Sequence, residues 1–184
     1  MRYILLASLI MLCCSGQKKE EKQVPQSSAG TYMHIMVKDY GEIVAKLHTN
    51  TVPKNTENII NLTNQGYYNG LTFHRIIKGF VIQGGCPKGD GTGGPGYEIE
   101  DEITPQLKHL KGTVAMANHG PNTNGSQFYI CLAPLPRLDG GYTIFGQVVD
   151  GMDIVDQVGS AKTGPRDKPL TPVVMEKVWI EEIK

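Results

Sequence analysis

Two stretches of the 184-residue chain hold side chains that a plain hydrophobic core does not need. The first runs Phe73-His74-Arg75-Ile76-Ile77-Lys78-Gly79-Phe80-Val81-Ile82-Gln83-Gly84-Gly85. Strand-like alternation puts Arg75 on the same side as Phe73 and Ile77. A guanidinium on such a face must find partners or line a cavity, because an unpaired buried charge is costly. Phe80 and Gln83 follow after a Lys-Gly turn. The second stretch runs from Met116 to Ile130 and joins two strand-like segments through Asn118-His119-Gly120-Pro121-Asn122-Thr123-Asn124-Gly125-Ser126. Its Gly and Asn residues suit tight turns.

Other chemistries fit less well. Gly89-Asp90-Gly91-Thr92-Gly93-Gly94 satisfies G-x-G-x-x-G, but Pro95 and Gly96 follow where a dinucleotide site needs a helix. A glycine-shaped surface loop is expected there. The five histidines show no H-E-x-x-H or clustered spacing, so no metal is expected. The acidic run Glu98-Ile99-Glu100-Asp101-Glu102 lacks EF-hand spacing and reads as a solvated loop. No G-x-S-x-G is present, which removes the simplest serine-hydrolase reading.

The elements that must carry these residues are short. Strands are expected at Tyr32–Val37, Ile43–Leu47, Phe73–Ile77, Phe80–Gln83, Thr113–Ala117, Gln127–Leu132, Thr143–Val148 and Val173–Ile183. Pro53–Gln65 reads as a helix: Pro53 suits its first turn, Ile59, Ile60 and Leu62 give an apolar side, and Gly66 ends it. Gly151–Val158 reads as a second helix with Met152, Ile154, Val155 and Val158 inward. Short strands separated by turns, with two helices, point to a β-barrel with capping helices. The length suits one domain with a real core. Lys+Arg and Asp+Glu are both 18, so the cationic footprint of a nucleic-acid binder is missing.

The N-terminus reads as an address. Arg2, the apolar run Tyr3–Leu12, then Cys13-Cys14-Ser15-Gly16 has the layout of a secretory signal. The run is too short for a permanent span, which needs roughly 20 apolar residues. A cysteine just after it resembles a bacterial lipoprotein signal, with Cys14 as the acylated residue; an ordinary cleaved signal is the alternative. The expected organisation is a signal over 1–13, a flexible tether over 14–30 and a folded domain over 31–184. The expected location is the cell envelope, as a periplasmic or surface lipoprotein touching a membrane only through its lipid. Cys86 and Cys131 are expected to be free, buried thiols.

The two stretches resemble the signature segments of the cyclophilins, a family of peptidyl-prolyl cis-trans isomerases. Gly91-Thr92-Gly93-Gly94, Leu138-Asp139-Gly140 and Phe145-Gly146 add to the resemblance, which extends from Tyr32 to the C-terminus. It implies a mainly β fold: a closed eight-stranded antiparallel barrel capped by two α-helices, with the site in an outer groove. By motif, Arg75 matches the catalytic arginine and Gln83 the glutamine that positions it. Phe80, Tyr129 and Leu138 match the walls of the proline pocket, and Val81 stands where Met is frequent. Asn118 matches the residue whose backbone holds the substrate carbonyl, with Ala117 beside it. Tyr142 stands where many members have His, and Arg137 where eukaryotic members have Trp. Removing that indole implies weak binding of the inhibitor cyclosporin.

The resemblance also implies a reaction that needs no cofactor. The X–Pro amide resists rotation by roughly 18–20 kcal/mol because its nitrogen donates into the carbonyl. In the twisted transition state that donation is lost, and the nitrogen can accept a hydrogen bond. A guanidinium aimed at it would stabilise the transition state above either planar isomer. The expected function is isomerisation of X–Pro bonds in exported proteins during folding. The expected partners are proline-containing segments, and the expected form is monomeric. The alternative is a proline-peptide binding or holdase module in which turnover is incidental.

Overall fold

The computed structural model describes residues 28–184. Gly30–Val37 (β1) and Gly41–Leu47 (β2) form a hairpin in which Met33, Ile35, Val37, Ile43, Ala45 and Leu47 all turn inward. Arg75–Ile77 (β3) and Val81–Gly84 (β4) form another, and Thr113–Met116 (β5), Phe128–Cys131 (β6) and Ile144–Asp150 (β7) follow. Met175–Ile183 (β8) pairs back onto β1, from Gly30 opposite Ile183 to Val37 opposite Met175. The order is β3-β4-β6-β5-β7-β2-β1-β8, antiparallel at every pairing.

The expected closed barrel is corrected to a curled eight-stranded sheet with two ends, β3 and β8. The chain ahead of β3 bonds to the start of β8 and to the residues before it. The Phe73 N–H donates to Val173 O at 2.9 Å, and the Met175 N–H to Leu71 O at 2.8 Å. The physical reason is that β3 has three residues, all paired with β4, and toward β8 only one isolated bridge forms, Thr72 with Val174, just ahead of both strands. A 3-10 turn at Pro165–Asp167 packs beside it.

The inside of the curl is filled by side chains. Phe128 meets Tyr68, Phe73 and Phe145 edge-on, with ring centres 5.7, 6.2 and 6.3 Å away. Met33, Ile35, Ile43, Ile82 and Ile130 complete a core with no solvent contact. Each such side chain contributes roughly 1.5–3 kcal/mol through burial. Substrate must therefore bind outside the sheet.

Two helices cover the sheet. Pro53–Asn64 (α1) buries Ile59 and Leu62, while Ile60 stays partly exposed. Its lower face is unexpectedly polar, with Asn55, Thr56, Asn58 and Thr63 buried. No side chain of its own caps α1. Instead the Glu102 carboxylate accepts from the Lys54 and Asn55 backbone N–H groups at 3.2 and 2.7 Å. A distant anion thus meets the positive helix end and pins the acidic loop to α1. Met152–Gly159 (α2) buries Ile154, Val155 and Val158. Gly151 precedes it at φ 77°, where any Cβ would stand 2.2 Å from Glu42 O. Cys86 and Cys131 are free and buried, as expected.

His74 is 6% exposed, and neither ring nitrogen has a hydrogen-bond partner. Burial holds its pKa below the ordinary imidazole value. The unfolded chain therefore takes up a proton near pH 6.5 that the folded protein refuses, so stability falls as pH drops through that point. Burial pushes His48 the same way. Melting temperature is expected to fall between about pH 7 and 5, and His74→Gln to flatten part of that slope. Melts of both proteins across this range check it; parallel slopes would contradict it.

Candidate functional site

The strand register assembles one row of outward side chains. Arg75 on β3 pairs with Gln83 on β4, Gln83 with Tyr129 on β6, and Tyr129 with Ala115 on β5. Alternation sends the neighbours Ile76, Ile82, Ile130 and Val114 into the core. The β3–β4 turn closes through the Phe80 N–H, which donates to Ile77 O at 2.9 Å, with Gly79 at φ 71°. That turn brings Phe80 onto the same outer face.

Around the row lies a second apolar cluster, separate from the core. Val81, Ala115, Tyr129, Cys131, Leu135 and Ile144 are buried in it, with Phe80, Ala117, Leu138 and Tyr142 packed at its surface. Leu138 is delivered by a 3-10 turn at Pro136–Leu138. On that turn Arg137 lays its guanidinium over the Phe80 ring, 4.6 Å from the centroid. Tyr129 and Tyr142 meet edge-on at 5.8 Å.

Arg75 stands at the edge of this patch, held on two sides. Its Nε donates to Asp167 Oδ2 at 3.3 Å and its Nη1 to Gln83 Oε1 at 3.5 Å. Gln83 Nε2 donates to Gln127 Oε1 at 3.1 Å, and Gln127 Nε2 to the carbonyls of Gly91 and Gly93 at 2.9 and 2.8 Å. The glycine-rich loop thus anchors an amide relay behind the arginine. No helix follows it. Next to the patch is a cleft of about 750 Å³, lined among others by Gln83, Gln127, Ala117 and Asn118. Ala117 borders both spaces. The Asn118 side chain reaches Gly141 O at 3.4 Å, bracing its loop against the turn after Leu138.

The sequence-expected residues Arg75, Phe80, Val81, Gln83, Ala117, Asn118, Tyr129, Leu138 and Tyr142 all fall on this face. Val81 and Tyr129 are buried in the patch, and Phe80, Ala117, Leu138 and Tyr142 pack at its surface. Gln83, Ala117 and Asn118 line the adjoining cleft, and Arg75 stands beside them, bonded to Gln83. Four residues at the site escaped sequence reading. Gln127 was legible in principle, two positions from Tyr129 on the outward side of β6. Asp167, His109 and Asp139 had no spacing signal. Asp167 reaches Arg75 from a turn in which Arg166 and Asp167 both take left-handed backbone, φ 60° and 59°. His109 is wholly buried, and its Nδ1 lies 2.9 Å from Asp139 Oδ1, its Nε2 2.9 Å from the Tyr129 hydroxyl. Burial holds the Tyr129 hydroxyl far above the ordinary phenol pKa, so it stays protonated. Hydrogen bonds from the His109 backbone and ring hold Asp139 below the usual carboxylate range.

The family described as "Cyclophilin type peptidyl-prolyl cis-trans isomerase/CLD" matches residues 32–180. A peptidyl-prolyl cis-trans isomerase of Arabidopsis thaliana is 49% identical over 144 residues, 76% of this chain and 90% of that protein. The human peptidyl-prolyl cis-trans isomerase-like 1 is 48% identical over 143 residues, 76% of this chain and 86% of that protein. A Cryptosporidium parvum cyclophilin type isomerase, solved in the presence of the dipeptide Ala-Pro, aligns with a TM-score of 0.79 at 37% identity. That alignment covers 83% of this chain and 99% of the other.

These eukaryotic relatives overturn the expected location, an envelope-anchored bacterial lipoprotein. Cys14 and the signal-like segment lie outside the described residues. No helix of the described residues is long and apolar enough to cross a membrane. The match over 32–180 and the near-50% identities agree on one conclusion: the chain belongs to the cyclophilin family of peptidyl-prolyl cis-trans isomerases.

Proposed function

We propose that residues 31–184 carry the isomerase activity and that Arg75 is its catalytic residue, acting on proline-containing segments without a covalent intermediate. One observation carries this reading: a guanidinium, tethered by Gln83 and Asp167, stands on the outer face of the sheet beside an apolar patch that includes Phe80, Tyr129 and Leu138. Phe80, Tyr129 and Leu138 clamp the ring, with Val81 beneath and Tyr142 behind. The Asn118 backbone holds the carbonyl before proline, with Ala117 at the junction of patch and cleft. As the acyl side turns, the proline nitrogen loses conjugation and becomes a hydrogen-bond acceptor. Arg75 meets it there with a donor that needs no reorientation, because Nε and Nη1 are already held. Each 1.36 kcal/mol of such selective stabilisation is worth tenfold in rate. One chain supplies the whole set, so a monomer suffices. The Ala-Pro dipeptide named with the Cryptosporidium structure supports a proline-containing ligand of this kind. A protease-coupled assay on a proline tetrapeptide tests the reading. Acceleration proportional to protein concentration is expected, and none at micromolar protein would overturn it.

Arg137 separates substrate from inhibitor. Its guanidinium sits on Phe80 where the resemblance implies an indole, and it remains hydrated and exposed. Arg137→Trp is expected to tighten cyclosporin binding by about 1–3 kcal/mol through a buried aromatic anchor. Peptide turnover should change far less. Fluorescence reports it directly, since the only other indole, Trp179, lies on β8 stacked against His34. Equal drug affinity in both proteins would contradict this assignment.

A further inference from the structure

We infer that His109 is a positioning residue for the proline pocket, fixing the distance between two of its walls. The inference rests on the reading of Phe80, Tyr129 and Leu138 as those walls. Tyr129 comes from β6, while Leu138 comes from the 3-10 turn before Asp139. No backbone ladder joins these two segments. His109 does so instead. Its ring nitrogens reach Tyr129 and Asp139 at 2.9 Å each, and its backbone N–H donates to the same Asp139 oxygen at 2.9 Å. Its carbonyl accepts from the Leu135 N–H at 2.7 Å, just ahead of the turn. One buried residue therefore holds both ends of the segment carrying Leu138 and the tip of the opposing tyrosine.

The proton arrangement follows from the partners. Asp139 is ionised and can only accept, so Nδ1 carries the hydrogen. In the neutral ring Nε2 then presents a lone pair, to which the Tyr129 hydroxyl donates. That bond turns the hydroxyl hydrogen away from the groove and leaves the ring as an apolar wall. The rings of His109 and Tyr129 stack at 6.0 Å and 15°, while Tyr142 stands edge-on to both. Lys108 approaches Asp139 from the solvent side at 3.6 Å. Without His109, the Tyr129 hydroxyl would be a buried donor beside the proline ring, and the Leu138 turn would lose its inner tether.

The test compares wild type with His109→Phe, Tyr129→Phe and the double variant, measuring kcat, KM and melting temperature on one proline peptide. His109→Phe keeps a ring but strands the hydroxyl. KM is expected to rise roughly tenfold, the scale of one unsatisfied buried group, because pocket geometry suffers. With Arg75 and its tethers untouched, kcat should stay within about twofold. The double variant breaks the same tether and should raise KM no further than His109→Phe alone, a non-additivity that two independent structural roles would not produce. A KM for folded His109→Phe equal to wild type, or a double variant whose KM combines the full effects of both single changes, would overturn the inference. If His109→Phe does not fold, Tyr129→Phe decides alone: a raised KM with a nearly unchanged melting temperature supports the inference, and an unchanged KM overturns it. A wild-type protein without turnover would instead refute the underlying site reading.

Discussion

Arg75→Ala is expected to lower kcat/KM roughly a hundred- to thousandfold, the usual scale for losing one preorganised transition-state donor. Arg75→Lys should lose nearly as much. An ammonium keeps the charge but cannot hold Asp167 and Gln83 at fixed angles while offering a third donor to the proline nitrogen. Folding should survive both changes. The Arg75 and Asp167 side chains are 41% and 45% exposed, and an ion pair that open contributes at most about 1 kcal/mol. The loss should appear in kcat, since Arg75 lies beside the apolar patch that holds the ring rather than inside it. Steady-state kinetics with melting curves check this, and near-wild-type turnover in both variants would contradict it.

Phe80→Ala should act on the other parameter. The Phe80 ring is the partly exposed wall of the patch, and removing it takes away both a face for the proline and the platform under Arg137. Burying an aromatic face contributes roughly 1.5–3 kcal/mol, so kcat/KM should fall about ten- to hundredfold, mainly through KM. Phe80 lies outside the sheet's core, so the melting temperature should move little. Titration of a proline peptide into both proteins measures the effect. Equal affinity would show that the groove lies elsewhere.

Local pattern made the sheet legible, because β-strand alternation survives in Met33-Ile35-Val37 and Ile43-Ala45-Leu47 without any long-range information. The Arg75–Gln83 pairing was legible too, since a Lys78-Gly79 turn places those positions opposite each other. Closure was not. Whether β3 and β8 form a ladder depends on three residues at one edge and a turn packed beside them. The polar face of α1 was also hidden, because Asn55 and Asn58 find partners in loops far away along the chain. The same reason hid Asp167, His109 and Asp139. Their roles depend on contacts between segments 20 to 92 residues apart, and two depend on backbone or burial that residue type does not announce. The expected location was wrong for another reason: it was drawn from a short apolar run beside a cysteine, and the eukaryotic relatives contradict it.

The central claim is that Arg75 lowers the barrier to X–Pro rotation rather than merely holding the peptide. Exchange spectroscopy on a proline peptide saturated with protein measures that directly, because it reads cis–trans interconversion in the bound state and binding in the same sample. The account predicts rapid exchange with wild type, and with Arg75→Ala a peptide that still binds within about fivefold while its exchange slows at least a hundredfold. Bound-state exchange equally fast in Arg75→Ala, or equally slow in wild type, would contradict it.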